Sequence, residues 1–442
     1  MIDPPRGRQH ATDPPRGRRR ATDDDDACGL VRRASWLVFA VLAGLWLVHN
    51  MNNLEMPSLL PGGECDQLPQ TQLMTFAAEY SPDGPATGEW NVRTDDDAAV
   101  PCPGAGEVLA MVRSSSVNPT DWFEAMFQRP ALGLDMAGTL VSVGGVCAAL
   151  GWKVGDEVWG MANKYIGKGS YQQFALLNCR AIGRRAPDSP MPLRDYGLLP
   201  VVAGTAYEVF VSAGAPWTAE QNVTVAIASG SGGTGTVAIQ IAKALGAARV
   251  VTAASPSHSS LLRSLGADLV VDYHRTTLWT ALGADSVDVV WDNYVRAPPS
   301  PPSQSDARSN PPFSHRILPP HPQGESRMWE QAMPCISPGG TAVWMVTFFE
   351  TGGSEPRYIK PGVSTSFYPG FYSTGSVYEP LNRFIEAGQL RAVVQRWYPL
   401  GRVADAFRES VDRHVAGKLG IDVPAPEGWS PASLPGWPAQ EE

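Results

Sequence analysis

Val223 to Ala247 read VTVAIASGSGGTGTVAIQIAKALGA, and the order of residue types here predicts a strand, a tight turn and a helix. Val223 to Ile227 form an apolar, β-branched run that ends at glycines. Val237, Ile241, Ala244 and Leu245 then recur at helical spacing on one face. Between them Gly230, Gly232 and Gly235 supply GxGxxG, with Gly233 and Thr234 completing the loop. The first glycine permits the turn, the second lets backbone approach a pyrophosphate, and the third lets helix and strand pack closely. The pyrophosphate would sit against unpaired N–H groups at the positive end of the helix dipole. An ordinary βα turn is the competing reading, and the strand before and helix after favour dinucleotide binding.

The following residues bear on which dinucleotide is bound. Ala248 to Ala254 read as the second strand, broken by Ser255, Pro256 and Ser257. A site for NADH usually places a carboxylate at this strand end, where it accepts from the ribose 2′-OH and repels a 2′-phosphate. Here Ser255 and His258 stand instead, which favours NADPH. Strands and helices alternate from about Leu198 to Phe349, including Val287 to Asp292 and Thr341 to Val346. That alternation predicts an α/β fold with a doubly wound parallel sheet. Met74 to Tyr80, Glu107 to Val112 and Gly138 to Val143 read as strands of a β-rich first domain.

The chain has 442 residues, enough for two domains, and a net charge of −9. That charge argues against nucleic acid as a partner, because phosphate neutralisation needs a basic face. Six scattered cysteines form no CxxC pair, so the spacing predicts neither a zinc ribbon nor a disulfide framework and fits free thiols in a reducing compartment. Residues 1–71 open with a tandem repeat of DPPRGR type and are expected to be disordered. Within them Ala34 to Val48 is apolar and uncharged, yet shorter than the ~20 residues of a spanning helix. Three readings stay open: a short membrane anchor, a targeting core, or sequence upstream of a later start at Met51, Met56 or Met74. Localisation is therefore membrane-associated or organellar if the segment acts, and otherwise cytoplasmic. Residues 296–327 are proline-rich and aperiodic, which fits an inserted, non-functional segment better than a lid. The tail, 424–442, is also proline-rich and expected to be disordered.

Several further motifs occur in a fixed order. PCPGAGEVL (Pro101 to Leu109), SVNPTDW around Asn118, LGLDMAGTLVSVG (Leu132 to Gly144) and KVGDEVWGM (Lys153 to Met161) precede LPVVAGTAYEVF (Leu199 to Phe210). The glycine loop, SLGADLVVDY, SPGGTAVWM (Ser337 to Met345) and a closing run through AGKLGIDV to Val423 follow. This set resembles the zinc-free quinone oxidoreductase (zeta-crystallin-like) branch of the medium-chain dehydrogenase/reductase family. The resemblance implies a GroES-like catalytic domain from 72–195 and 355–423, enclosing a Rossmann domain over 196–354. It also implies an active site in the cleft between them. Where zinc-dependent relatives carry Cys and Gly-His-Glu, this chain has Asn118 and Gly133-Leu134-Asp135, and it lacks their four-cysteine lobe, so no metal is expected.

The chemistry implied is hydride transfer from NADPH to a quinone or α,β-unsaturated carbonyl, with the protein orienting the reactants and stabilising charge on the carbonyl oxygen. By the same resemblance Asn118 and Thr205 lie near the nicotinamide, and Phe348 lines its pocket. Ser255, His258 and Tyr273 approach the 2′-phosphate, His258 standing where relatives commonly have lysine. Lys418 either approaches the cofactor or is a surface lysine. No general acid is evident. Tyr165 and Tyr171 are the candidates, although loop tyrosines are commonly surface residues, and protonation by water is simpler. The expected partner is a small carbonyl or quinone substrate, with a membrane tether and a homodimer left open. A second class of function also stays open, a membrane-associated NADPH-binding member with little or no catalysis. The Asp-Asn-Tyr after Trp291, where relatives often have glycine, fits that second class.

Overall fold

The computed structural model describes residues 60–78, 90–125, 132–162, 169–293, 331–345, 358–368, 375–412 and 414–438. The apolar segment 34–48, the insertion 296–327, Tyr165 and Phe348 lie outside the described residues. Among the described residues no helix is long and apolar enough to cross a membrane.

The first half is β-rich, with β1 (Thr71–Ala77), β2 (Val92–Ala99), β3 (Glu107–Ser116), β4 (Asp135–Val143), β5 (Glu157–Met161), β6 (Phe174–Asn178) and β7 (Ile182–Arg184). A short helix, α1 (Pro119–Ala125), follows β3, and α2 (Pro200–Ser212) leads into the second half. There β8 (Thr224–Ile227), α3 (Gly233–Ala244), β9 (Arg249–Ala254), β10 (Leu269–Asp272), β11 (Val287–Asp292), β12 (Ile336–Met345) and β13 (Ser364–Tyr368) build a parallel sheet. Its order is β10-β9-β8-β11-β12-β13. The chain then returns through β14 (Val394–Pro399) and β15 (Lys418–Asp422), and β15 pairs antiparallel with β3, Gly420 opposite Ser116. The fold is therefore a GroES-like β unit joined to a Rossmann-like sheet.

Each half encloses apolar side chains at the period of its elements. In the parallel sheet Val225, Ile227, Val250 and Trp291 pack beneath Val237 and Ile241 of α3. Trp291 meets Phe210 of α2 edge-on at 5.5 Å. Burial of each such side chain contributes about 1.5–3 kcal/mol. The helix α3 stops at Gly246, whose φ of +95° suits glycine. A side chain there would meet the Trp217 carbonyl at 2.1 Å. In the β unit, β3 alternates faces: Val108, Ala110 and Val112 enter one core, and Leu109 enters another.

Three expectations are corrected here. The tail is ordered as far as residue 438, because β3 and β6 present an outer apolar face of Leu109, Phe174 and Leu176 that must be covered. Leu434 is buried on that face, and Trp429 stacks edge-on against Phe174 at 5.4 Å. Trp429 also donates its indole N–H to the Gln67 carbonyl at 2.9 Å, so residues near 67 are ordered too. Nor are the thiols free: Cys65 is bonded to Cys102 and Cys147 to Cys179, each pair with Cα atoms 5.9 Å apart. Partners 37 and 32 residues apart leave no local signature. Among the described residues Cys335 is the free thiol, and burial pushes its pKa up.

Candidate functional site: a cleft with a backbone end and a side-chain end

The glycine loop leaves the carboxyl end of β8, and each glycine meets different surroundings. A Cβ on Gly230 would lie 2.5 Å from Thr252 Oγ1, and one on Gly235 only 1.9 Å from the Ser229 carbonyl oxygen. These two positions are closed by packing. At Gly232 a Cβ would meet nothing nearer than Ser229 Oγ at 3.8 Å, so the space above it is open. Gly232 is the N-cap of α3 and offers no side chain to cap it. Gly233 and Thr234 form the first turn, both half-buried. The start of the loop is clamped by a residue whose role the sequence did not reveal. Asn293 accepts from the Ser229 N–H at 2.8 Å and donates to the Ser229 carbonyl at 2.7 Å. The asparagine that seemed to mark lost activity is thus a brace for the loop.

Beyond the loop Ser255 follows β9 and comes within 3.2 Å of His258 Nδ1, while its hydroxyl also meets Ser257 Oγ at 2.8 Å. Tyr273 is half-buried just beyond β10, its ring 4.4 Å from that of His274. The parallel register also sets Asp272 beside Ala254, an acid next to the strand end that contains none in sequence. Its carboxylate accepts from the His274 N–H at 3.0 Å.

The opposite end is assembled from side chains far apart in the chain. Asp135, at the start of β4, is 0 % exposed and saturated with donors. Oδ2 accepts from Ser116 Oγ at 2.6 Å, Asn118 Nδ2 at 2.8 Å and Lys418 Nζ at 3.2 Å, and Oδ1 accepts from the Val201 N–H at 2.7 Å. Lys418, 5 % exposed, also donates to the Val117 carbonyl at 2.9 Å and Asn118 Oδ1 at 2.7 Å. It is no surface lysine; all three of its protons are committed inside the protein. The network dictates how the Asn118 amide points, because an ammonium only donates and a carboxylate only accepts. Oδ1 therefore faces Lys418 and Nδ2 faces Asp135. Thr205 is buried one turn into α2.

The two ends are joined by main chain. The Gly417 N–H donates to the Ser231 carbonyl at 2.8 Å, and the Lys418 stem runs past Gly233, where a Cβ would meet its Cδ at 2.7 Å. Gly417 has φ +78°, and a side chain on it would strike the Val393 carbonyl at 2.2 Å.

Tyr171 is not a surface residue. It is fully buried and donates to Asp121 Oδ2 at 3.1 Å and towards the Ser116 carbonyl at 3.3 Å. Burial, and then the Asp121 charge, push its phenol well above the usual tyrosine range. Among the described residues no group of three His, Cys, Asp or Glu side chains could hold a metal ion.

Residues 104–209 match the alcohol dehydrogenase GroES-like domain, and residues 233–299 match the zinc-binding dehydrogenase domain. The chain is 26% identical over 348 residues to 2-methylene-furan-3-one reductase of Solanum lycopersicum, covering 75% of each. It is 28% identical over 346 residues to the chloroplastic NADPH-dependent alkenal/one oxidoreductase of Arabidopsis thaliana, covering 74% of this chain and 75% of that one. Its fold is similar to the structure of the quinone oxidoreductase from Coxiella burnetii, with a TM-score of 0.60 at 19% identity over 80% of this chain and 100% of that one. Fold, domain matches and relatives agree: the chain belongs to the medium-chain dehydrogenase/reductase family.

Proposed function

We propose that this protein is a metal-free, NADPH-dependent reductase of α,β-unsaturated carbonyls or quinones. The observation that carries the reading is the contact between the cleft's two ends: an uncapped helix N-terminus with open space at Gly232 stands one backbone link from the buried Asn118–Asp135–Lys418 network. An uncapped α3 terminus fits a pyrophosphate, whose charge the helix dipole and free N–H groups favour. Ser255, His258 and Tyr273 gather beyond it and fit a 2′-phosphate, with Asp272 as the opposing influence. The NADPH-dependent alkenal/one oxidoreductase and the chloroplast envelope quinone oxidoreductase homolog among the relatives support the same chemistry.

When bound, NADPH supplies the hydride. The chain's part is to orient and polarise. Asn118, fixed by Lys418 and Asp135, offers its remaining Nδ2 hydrogen to a carbonyl oxygen, and the Lys418 charge raises the positive potential where an enolate or phenolate oxygen develops. Tyr171 is held by Asp121 and is a poor acid, so water supplies the proton. The metal-free reading rests on donor chemistry. Leu134 cannot ligate, Asp135 already accepts four hydrogen bonds, and the Lys418 ammonium beside it repels a cation.

NADPH oxidation with a simple enone and a simple quinone, before and after exhaustive chelation, tests this, alongside calorimetric titration of the cofactor. Turnover that survives chelation is expected. Binding without turnover of either acceptor would overturn the catalytic reading, and chelator-sensitive activity restored by zinc would overturn the metal-free one.

A further inference from the structure

The two disulfides of the β unit stand in opposite surroundings. Cys147 and Cys179 are 0 % and 4 % exposed, sealed in the apolar core that also holds Val108 and Leu177. Cys102 is exposed and Cys65 half-buried, so the bond between them lies at the surface. It ties the segment ahead of β1 to the turn ahead of β3. Besides this bond, surface hydrogen bonds hold the segment. The Pro61 carbonyl accepts from the Gly145 N–H at 2.9 Å, the Gly63 N–H donates to the Pro103 carbonyl at 2.9 Å, and the Glu64 carbonyl accepts from Ser142 Oγ at 2.7 Å.

Further along, the same segment meets the C-terminal tail. The Gln67 carbonyl takes the Trp429 indole N–H, and Leu68 joins Trp429, Leu434 and Trp437 against Leu109, Phe174 and Leu176 on the outer face of β3 and β6. The tail is anchored at its start, where Gln173 Nε2 donates to the Pro424 carbonyl at 3.0 Å. The two ends of the described fold thus share one cover over one apolar face. The disulfide joins residues 37 apart, a closure that chain entropy otherwise opposes. Without it the cover rests on surface hydrogen bonds and on the packing of Leu68 and the tail.

We propose that Cys65–Cys102 is a clasp released by dithiols: its reduction loosens the segment before β1 and the tail docked on it, and uncovers the apolar outer face of β3 and β6, while Cys147–Cys179 stays closed. One thiolate of a small dithiol attacks the exposed Cys102 Sγ, forming a mixed disulfide and expelling Cys65 as a thiolate. The second thiolate of the dithiol then attacks its own sulfur in that mixed disulfide and expels Cys102. The dithiol leaves oxidised to a disulfide, two electrons have passed to the protein, and the two protons the dithiol gave up end on Cys65 and Cys102. Access sets the order, since Cys147 and Cys179 are reached only after their core opens. The clasp is independent of the cofactor reading.

The test is graded reduction of the full chain with dithiothreitol, the thiols being trapped by alkylation and assigned by peptide mass spectrometry. Cys65 and Cys102 should become alkylated together at about tenfold less reductant than Cys147 and Cys179 need. Chymotrypsin cleavage after Trp429 and Leu434 should then quicken about tenfold or more, with a rise in the fluorescence of an added apolar dye. Cleavage after Trp291, buried in the parallel sheet, should stay slow. Cys65→Ser combined with Cys102→Ser should show the fast tail cleavage without reductant. If that variant does not fold, the reduced wild-type protein decides the matter by itself. Unchanged tail cleavage with Cys65–Cys102 fully reduced would overturn the clasp. So would opening of Cys147–Cys179 first or at the same reductant concentration. Acceleration shared by Trp291 would also overturn it, because that is what a merely structural disulfide predicts.

Discussion

At the glycine-loop end of the cleft the groups on offer are main-chain N–H groups set by a glycine turn, whereas at the Asn118 end they are buried side chains held by one another. The first end depends on space. Gly232 works by leaving room, and Gly230 and Gly235 by letting elements touch. The second end depends on charge balance, since Asp135 and Lys418 are both out of water and each is tolerable only because the other is there. An end made of backbone should therefore fail when volume is added, and an end made of side chains when one partner is removed.

The largest expected effect is at the side-chain end. Lys418→Met leaves Asp135 buried without its counter-charge and should cost about 3–5 kcal/mol of stability, read by denaturant unfolding. Combining it with Asp135→Asn should recover much of that stability without restoring turnover, because Asn118 is no longer oriented. If the double variant is destabilised by the sum of the two single effects, the charge-balance account is wrong.

Next comes the backbone end. Gly232→Val should fold, since nothing lies within 3.8 Å of its Cβ, yet weaken cofactor binding about a hundredfold or more by filling the pyrophosphate space. Gly235→Val should fail to fold, because its Cβ would lie 1.9 Å from a carbonyl oxygen. Thermal melts and titrations separate the two, and tight binding by folded Gly232→Val would mean that the pyrophosphate sits elsewhere.

Asn293→Ala joins the two principles, since a side chain here holds a backbone turn. Loss of two hydrogen bonds to Ser229 should weaken cofactor affinity up to about thirtyfold at about 1 kcal/mol per bond, with little change in turnover at saturating cofactor. A change confined to turnover would remove Asn293 from the loop's support.

The smallest effect is expected at the rim. Ser255→Asp places a carboxylate beside His258 and adds to the nearby Asp272, so the ratio of NADPH to NADH affinity should fall about fivefold or more. An unchanged ratio would show that the 2′ group does not lie against Ser255.

The glycine turn was legible because strand, turn and helix are consecutive in the chain and each glycine answers a local steric demand. The same holds for the absence of an acid after β9, although the neighbouring strand then brings Asp272 alongside, which only register shows. Asn118 was singled out from its motif, but not the reason its amide has one orientation, because Lys418 lies 300 residues away. Asn293 was noticed only as a departure from relatives; its bracing of Ser229 gave no local signal, because the two residues come from different elements.

By itself the sequence determined what local sterics and periodicity can express: a parallel α/β half entered through a dinucleotide-type turn, and a β-rich half. Only the tertiary structure decided which distant groups share one buried volume. It paired the cysteines, laid the proline-rich tail over an apolar sheet face, and set Lys418 against Asp135 and Asn118. The physical reason is that desolvation is a property of place. A lysine or a carboxylate acquires its meaning from what surrounds it once water has gone, and chain order does not carry that information.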